Sequence, residues 1–237
     1  MKMRVDFFKY TDKGGRNENQ DSLDVRLINN SILIACIADG VGGANCGQVA
    51  SEISVKEFHN KLNMGTGNMK EILLQIHNDL KSYQIENSNC KGMATTFTGC
   101  VLKGGVLEGV HIGDSRLCIL RGNGIRQLTE NHTEVNRLLK EGKISKEDVE
   151  FYPRKNVLES AIGAQRQPRI QNFIFRLMLN DRILLTTDGV HEIITKVEFR
   201  DKSINNPSIK DFGNSIIDTL KSRKLTDNVS FIILSVN

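Results

Sequence analysis

The sequence predicts an α+β fold in which helix pairs flank a central antiparallel β-sandwich on both faces. Groups of short apolar runs are joined by glycine-bearing turns, which is typical of antiparallel strands. Other segments repeat apolar residues every three or four positions, as amphipathic helices do. The strands need a common sheet system and the helices need an apolar surface to cover. Helices on the outer faces of a sandwich satisfy both demands.

The first half of the chain begins with strands and then changes to a helical pattern. The predicted order is strands near Val5–Tyr10, Leu23–Leu27 and Ile32–Ala38, helices over Gln48–Leu62 and Met69–Tyr83, and strands over Thr95–Lys103, Val106–Ile112 and Leu117–Arg121. The last three strands are linked by glycine turns, so we expect them to be antiparallel neighbours.

The second half alternates more irregularly. A helix is predicted over Thr133–Gly142, and Ser145 followed by acids resembles the start of another helix. Strands are expected over Ile170–Leu177 and Arg182–Thr187. A final amphipathic helix spans Ile209–Leu220, and a last strand ends the chain.

Composition is that of a globular protein: 39% of the 237 residues are hydrophobic and 25% are charged. We expect a single domain over residues 1–237. No apolar stretch is long enough for a membrane helix and no signal-peptide pattern begins the chain, so a cytoplasmic location without membrane contact is expected. The net charge of +4 is dispersed, and its densest run, at 221–224, lacks interleaved aromatic residues. Nucleic acid is therefore not expected as a partner.

The five cysteines are odd in number and contain no Cys-x-x-Cys pair, so neither a disulfide framework nor a zinc knuckle is indicated. Cys36, Cys100 and Cys118 fall in strand-like runs and are expected to be small core residues.

Aspartates occur at the ends of apolar strands in three places. Asp39 follows the run Ile32–Ala38, Asp188 follows Arg182–Thr187, and Asp227 precedes Val229–Leu234. Acids in such positions are costly unless a cation meets them, because two carboxylates about 4 Å apart repel by roughly 4 kcal/mol at an effective dielectric of 20. If these acids converge, the sequence predicts a metal site.

Further polar clusters accompany these aspartates. They are Arg16–Ser22, the glycine-rich segment that begins at Asp39, Gly113–Arg116, Asp188–Gly189 and Asp227–Asn228. Oxygen donors dominate them and histidine is almost absent, which favours magnesium, manganese or calcium over zinc or copper. Each residue taken alone has an ordinary explanation, such as a turn, a helix cap or a solvated surface arginine. The ordered set favours the metal site.

In this order the motifs resemble those of the metal-dependent serine/threonine protein phosphatases of the protein phosphatase 2C type, in their compact bacterial form. The resemblance runs from Arg16 to Val236 and includes the segments Ala94–Thr96, Gln127–Thr133 and Asn156–Gly163. It implies hydrolysis of phosphoserine or phosphothreonine in proteins. By family analogy, a cognate Ser/Thr kinase and its substrates are expected partners.

The resemblance also implies a centre of two Mn²⁺ or Mg²⁺ ions, with a possible third, weaker site. Asp39 would bridge both ions, Gly40 would add its carbonyl oxygen, and Asp21 would act through water. The remaining expected ligands are Asp188 and Asp227 for one ion, and Asp114 with Asp188 for the third. Arg16 would grip the substrate phosphate with its guanidinium fork.

A hydroxide that bridges the two ions would attack the phosphorus directly, without a covalent enzyme intermediate. Gly42 and Gly43 would leave room for close backbone approach. The segment 133–156 corresponds to the family's flap, which tends to influence substrate choice.

Three positions depart from the family's pattern. Gln20 stands where many members have glutamate, so one ion's hydration shell would be held less strongly. Val41 stands where other members carry histidine or methionine, so the leaving alkoxide must be protonated by water or another group. Asn131 replaces a frequent aspartate before His132.

Two other functions remain to be weighed. A catalytically weak or inactive pseudophosphatase, used as a phosphoprotein-binding module, is the alternative, and retention of Asp39, Asp188 and Asp227 counts against it. A calcium-stabilised structural domain lacks the common Asp-x-Asp/Asn-x-Asp/Asn-Gly loop. No cysteine is followed by arginine six positions later, so the thiolate type of phosphatase loop is missing.

Overall fold

A computed structural model describes residues 4–28, 31–41, 46–65 and 67–237 of the chain. The strands in these ranges are β1 (Val5–Asp12), β2 (Asp21–Ile28), β3 (Ile32–Val41), β4 (Ala94–Thr95), β5 (Phe97–Lys103), β6 (Val106–Ile112), β7 (Arg116–Arg121), β8 (Gly124–Gln127), β9 (Gln171–Arg176), β10 (Arg182–Thr186) and β11 (Val229–Val236).

These strands form two antiparallel sheets, as the sequence predicts. One sheet has the order β1-β11-β10-β7-β8, and the other has the order β2-β3-β5-β6-β9, with β4 paired to β3. Apolar side chains from both sheets share one buried cluster, which includes Leu33, Ile37, Leu185 and Ile232. The sheets therefore pack face to face as a sandwich.

The α-helices in the described residues are α1 (Gly47–Met64), α2 (Met69–Glu86), α3 (Glu134–Lys140), α4 (Asp188–His191), α5 (Lys196–Asn205) and α6 (Ile209–Ser222). Phe58 of α1 and Ile72 of α2 pack on the outer face of the sheet that contains β3. Phe199 of α5 and Phe212 of α6 pack with Phe231 on the outer face of the other sheet. The predicted layers, with a helix pair on each face, are confirmed.

Local sequence signals start several of these helices. Asn68 and Glu71 form a reciprocal capping box at the start of α2, and Thr195 and Glu198 do the same for α5. Helix α1 ends at Gly65, which has a φ of 67°, a conformation that favours glycine.

The sequence missed three short elements. Strand β8 alternates exposed and half-buried residues, and α5 buries only Phe199. Helix α4 is a single turn after β10. Such segments carry a weak periodic signal, and tertiary contacts decide their conformation.

The prediction of a helix that begins at Ser145 is wrong. Ser145 and Asp148 do exchange hydrogen bonds of a capping kind, since the Asp148 carboxylate accepts from the Ser145 amide at 2.8 Å and the Asp148 amide donates to the Ser145 hydroxyl at 3.2 Å. Only turns follow them, up to residue 156. Phe151 in that segment is 82% exposed. A cap without an apolar face to bury does not sustain a helix.

The cysteines differ from the expectation in one respect. Cys46 and Cys90 form a disulfide that joins the start of α1 to the 3-10 turn after α2. Their separation of 44 positions gives no spacing signal, so only the fold brings them together. Cys36, Cys100 and Cys118 are buried free thiols, as predicted.

None of the helices in the described ranges combines the length and apolar character needed to cross a membrane.

Candidate metal centre

Asp39 lies near the end of β3, where neighbouring threonines hold its backbone. The Asp39 amide donates to the Thr96 hydroxyl at 3.0 Å, and the Thr96 amide donates to the Asp39 carbonyl at 2.9 Å. The Thr95 hydroxyl donates to the same carbonyl at 2.8 Å. These bonds fix the backbone from which the Asp39 carboxylate projects. Ala94–Thr96 is one of the family-like motifs, but nothing in the sequence indicated that its threonines hold the backbone of Asp39.

Gly40 occupies a position that admits no side chain. A Cβ there would lie 2.3 Å from the Gly47 carbonyl oxygen and 2.8 Å from the Gln20 carbonyl oxygen. The Gly40 amide donates to that Gln20 carbonyl at 3.0 Å. Glycine is therefore required for β3 to pass between the loop before β2 and the first turn of α1.

Asp188 and Asp227 come from the other sheet. Asp188 opens α4 directly after β10, and Asp227 lies just before β11. A Cβ on Gly189 would lie 2.0 Å from the Asn228 carbonyl oxygen, so the first turn of α4 sits directly on the start of β11. This close approach brings the two acids to one end of the sandwich.

Asp21 begins β2 and lies directly opposite Asp39 in the strand register. It is 7% exposed, and its carboxylate accepts a hydrogen bond from the Thr187 hydroxyl at 2.9 Å. Thr187 precedes Asp188, so this bond connects the two sheets beneath the acids. The sequence did not single out Thr187.

A cleft of about 460 Å³ brings together most of the predicted site residues. It is lined by Arg16, Asn17, Glu18, Gln20, Asp39, Gly40, Val41, Asp188, Asp227 and Asn228. Asp21 and Asp114 do not line this cleft. Asp114 lies with Asp188 in an adjoining cavity of about 190 Å³, so Asp188 is shared by the two spaces. Gly42 and Gly43 lie outside the described residues.

Arg16 does not project freely into the cleft. Its Nε and Nη2 atoms donate to the two carboxylate oxygens of Asp227 at 2.9 and 2.8 Å. The arginine side chain is 59% exposed, so the pair sits at the rim of the cleft. The predicted phosphate-binding group and one predicted metal ligand thus bind each other.

The loop that carries Arg16 is held by a side chain whose role the sequence did not indicate. The Asn228 amide group donates to the carbonyls of Lys13 and Glu18 at 2.9 and 2.7 Å. Its side-chain oxygen accepts from the Gln20 amide at 2.9 Å. Asn228 is thus a positioning residue for the loop. Its place directly after Asp227 was the only sequence signal.

Burial and mutual repulsion act together on the acids. The pKa of Asp39 is raised well above its ordinary value, first by burial and then by the charge of Asp21 and Asp188. Burial also raises the pKa of Asp21 to about 7 and that of Asp188 to about 6. Several buried carboxylates that repel one another are suited to binding a divalent cation.

Asp114 is positioned by two buried histidines. The His132 amide donates to the Gly113 carbonyl at 2.6 Å, and the Gly113 amide donates to Nδ1 of His132 at 3.2 Å. His111 binds the same Gly113 carbonyl through Nε2 at 3.0 Å. Burial, followed by the charge of Asp188, raises the pKa of Asp114 to about 7.

The acids share this end of the sandwich without forming a closed ligand cluster. Across the part of the chain that the structure describes, no group of three or more His, Cys, Asp or Glu side chains is arranged to hold a metal ion. Asp227 is paired with Arg16 and Asp21 with Thr187, so two of the expected ligands have other partners.

Comparison with known proteins gives the same class that the fold and the acids indicate. Residues 14–230 match the family of protein phosphatase 2C. The chain belongs to the protein phosphatase 2C family.

Individual relatives are similar over nearly the whole chain. The serine/threonine phosphatase stp of Listeria welshimeri is 28% identical, with 96% of this chain and 94% of that protein covered. The crystal structure of Stp1 from Staphylococcus aureus, a serine/threonine phosphatase, has a TM-score of 0.89 at 26% identity, covering 99% of this chain and 95% of that one. The catalytic domain of PstP, crystallised with two manganese ions, has a TM-score of 0.82 at 23% identity, covering 99% of both chains.

Proposed function

We propose that this chain is a protein serine/threonine phosphatase that depends on Mn²⁺ or Mg²⁺ and hydrolyses phosphoserine and phosphothreonine. The observation that carries the proposal is the cleft in which Asp39, Asp188 and Asp227 meet beside Arg16. Membership of the protein phosphatase 2C family and the names of the bacterial relatives support it.

The residues of the cleft fit two divalent ions because their donors are hard carboxylate and carbonyl oxygens. Asp39 would bridge the ions and the Gly40 carbonyl would add a further ligand. Asp188 and Asp227 would complete one shell, and Asp21 would act through water. Asp114 with Asp188 is the proposed third, weaker site. When bound, such ions supply charge neutralisation for the phosphoryl oxygens and a water acidic enough to act as nucleophile at neutral pH.

Arg16 is the proposed phosphate-binding group. The two N–H groups that now hold the Asp227 carboxylate are spaced to hold two phosphate oxygens instead. As a metal ligand, Asp227 would no longer hold the guanidinium, and Arg16 would be able to bind the substrate. Val41 lines the cleft with an apolar side chain, so the proton for the leaving alkoxide comes from water or another group.

We also propose one catalytic domain over residues 1–237, with 133–156 as its flap. Thr133, Val135, Asn136 and Asn156 line the same cavity as Asp114, so the flap lies against the third proposed site. Phosphoproteins, including a cognate Ser/Thr kinase and its targets, are the proposed partners, and the cytoplasm is the proposed location.

The test is hydrolysis of an aryl phosphate and of a phosphothreonine peptide, with Mn²⁺, with Mg²⁺ and with chelator. We expect activity that chelator abolishes and that Asp39→Asn reduces by at least about a hundredfold, as loss of a central electrostatic group does. Asp218→Asn, on the exposed side of α6, is the matched control and should retain activity.

Activity that survives both chelator and Asp39→Asn would contradict the metal mechanism. Tight binding of the phosphopeptide without hydrolysis, under every metal condition, would support the pseudophosphatase alternative instead.

A further inference from the structure

The Cys46–Cys90 disulfide joins two segments that pack against Gly40 of the proposed metal centre. Cys46 directly precedes α1 with a φ of 86°, a left-handed conformation that few side chains adopt. Cys90 closes the 3-10 turn after α2. The two Cα atoms are 5.4 Å apart. The bridge therefore ties the start of α1 to the segment that leads into β4.

Both tied segments contact Gly40. On one side, the carbonyl of Gly47, the residue after Cys46, lies where a Gly40 side chain would be. On the other side, β4 pairs with β3 so that Thr95 lies opposite Gly40. The Met93 amide donates to the Cys90 carbonyl at 3.0 Å, which links the disulfide to the start of β4. The disulfide therefore connects the two segments that contact the backbone of β3 at Gly40.

The two sulfur atoms differ in access. Cys46 is half-buried and Cys90 is 3% exposed, so an external reagent meets Cys46 first. The other three cysteines are buried in the sheets, where desolvation raises the pKa of each thiol, to about 12 for Cys100 and about 11 for Cys118. They stay protonated and unreactive. Thiol chemistry on the folded chain is thereby confined to the Cys46–Cys90 pair.

We propose that Cys46 and Cys90 form a thiol–disulfide modification site, through which low-molecular-weight disulfides set the order of the Asp39–Gly40 segment of β3 and the activity of the phosphatase. This inference rests on the proposed function for its effect on activity. In a reducing compartment such as the proposed cytoplasm, a disulfide is ordinarily transient and serves redox sensing. The oxidised form holds this end of β3 in place and is the more active form.

The exchange balances in two steps. The Cys46 thiolate attacks one sulfur of a small disulfide RSSR, forms a mixed disulfide and expels one RS⁻. The Cys90 thiolate then attacks the Cys46 sulfur and expels the second RS⁻. Two electrons pass from the cysteines to RSSR, and the two protons from the cysteines convert the leaving groups to RSH.

The experiment compares protein reduced with dithiothreitol and protein reoxidised with glutathione disulfide, after removal of either reagent. Alkylation under denaturing conditions and intact mass should count five reactive thiols in the reduced chain and three in the oxidised chain, matching the five cysteines and the three free thiols. Hydrogen exchange of the amides of residues 39–41 and 94–96 should be slower in the oxidised form, and exchange in β9 should not change.

Phosphatase activity with Mn²⁺ should fall about fivefold on reduction, the lower end of typical coupling between two sites. Cys46→Ser and Cys90→Ser should each behave as the reduced form and lose the response, whereas Cys118→Ser should keep it. Equal hydrogen exchange in two forms that differ by two thiols would overturn the proposal, as would five reactive thiols after oxidation. If no form is active, the proposed function fails, and the exchange measurement still decides whether the disulfide orders the Asp39–Gly40 segment of β3.

Discussion

The ion pair between Arg16 and Asp227 joins the proposed phosphate-binding group to a proposed metal ligand. Each carboxylate oxygen of Asp227 accepts one guanidinium N–H, at 2.9 and 2.8 Å. The pair lies at the rim of the cleft with 59% of the arginine side chain exposed, and exposed ion pairs contribute little to stability. Such a pair is weak enough for each side chain to take the partner that its proposed role requires.

Substitution of Arg16 tests its role in binding phosphate. We expect Arg16→Ala to lower kcat/KM for a phosphothreonine peptide by about 10- to 100-fold, because charged hydrogen bonds contribute about 1.5–3 kcal/mol. Arg16→Lys should recover part of the loss, since lysine keeps the charge without the fork. Steady-state kinetics are the measurement, and Arg4→Ala, at an exposed pair with Asp6, is the control. An unchanged kcat/KM in Arg16→Ala would remove Arg16 from the site.

His111 is expected to remain neutral in the folded protein. Its Nδ1 binds the Thr98 hydroxyl at 2.8 Å, and its Nε2 binds two carbonyls. Burial, followed by the neighbouring His132, lowers the pKa of His111 to about 3. The unfolded chain therefore takes up the proton first as the pH falls, which favours unfolding below an ordinary pKa of about 6.5.

This shift predicts a loss of about 1.4 kcal/mol of stability from His111 between pH 7.5 and 5.5. NMR titration of the histidine rings is the direct measurement, and the His111 signals should not move down to pH 5. Titration of His111 near pH 6.5 in the folded protein would contradict the hydrogen-bonded, neutral ring.

Among the elements, α4 matters most for the geometry of the acids. Its single turn carries Asp188, and Gly189 lets it rest on the carbonyl of Asn228 at the start of β11. The spacing of Asp188 and Asp227 therefore depends on a backbone contact between a helix and a strand. Any side chain at position 189 must push α4 away from the start of β11, and Asp188 away from Asp227.

Gly189→Ala is predicted to lower the free energy of unfolding by about 1–3 kcal/mol, the usual cost of overpacking. Phosphatase activity should fall more than the loss of folded protein explains, because the two acids move apart. Gly124→Ala is the matched control, since a Cβ there would lie 3.4 Å from its nearest neighbour, the Arg121 carbonyl oxygen. Urea denaturation and kinetics of both variants decide the point. Full activity in Gly189→Ala would show that the contact does not control the acids.

At the scale of the whole molecule, a network of hydrogen bonds around Asp181 connects the two sheets. Arg121, at the end of β7, donates to both carboxylate oxygens of the fully buried Asp181, at 2.7 and 2.6 Å. The same guanidinium donates to the carbonyl of Arg176 at the end of β9, in the other sheet. The Met178 amide also donates to Asp181 at 2.8 Å. This network fixes the β9–β10 connection to both layers.

Asp181→Asn should lower the free energy of unfolding by about 2 kcal/mol, since charged hydrogen bonds are lost at a buried acceptor. Phosphatase activity per folded molecule should not change, because none of the acids of the cleft contacts this network. The control is Asp201→Asn, which removes the exposed pair with Arg200 and should cost less than about 0.5 kcal/mol. Equal stability losses in the two variants would show that burial of Asp181 adds nothing.

The class of fold could be predicted from the chain alone, and the acids at the strand ends could be recognised there, because both depend on local patterns. Apolar periodicity distinguishes strands such as β3 from helices such as α2, and glycine turns favour antiparallel pairing. Asp39, Asp188 and Asp227 follow or precede apolar runs that the sequence displays directly. The short elements β8 and α5 were missed, and a helix was wrongly predicted where turns follow Ser145. The local signal of these segments is weak, and packing decides their conformation.

The order of the residues was therefore enough to predict most of the strands, the helices that carry a clear apolar face, and the series of oxygen donors. Which groups meet depends on the packed fold: Arg16 pairs with Asp227 across 211 positions, Asp21 with Thr187 across 166, and Cys46 with Cys90 across 44. Hydrogen bonds, charges and disulfides act through space over a few ångströms. Those distances exist only after the two sheets have packed and brought their ends together.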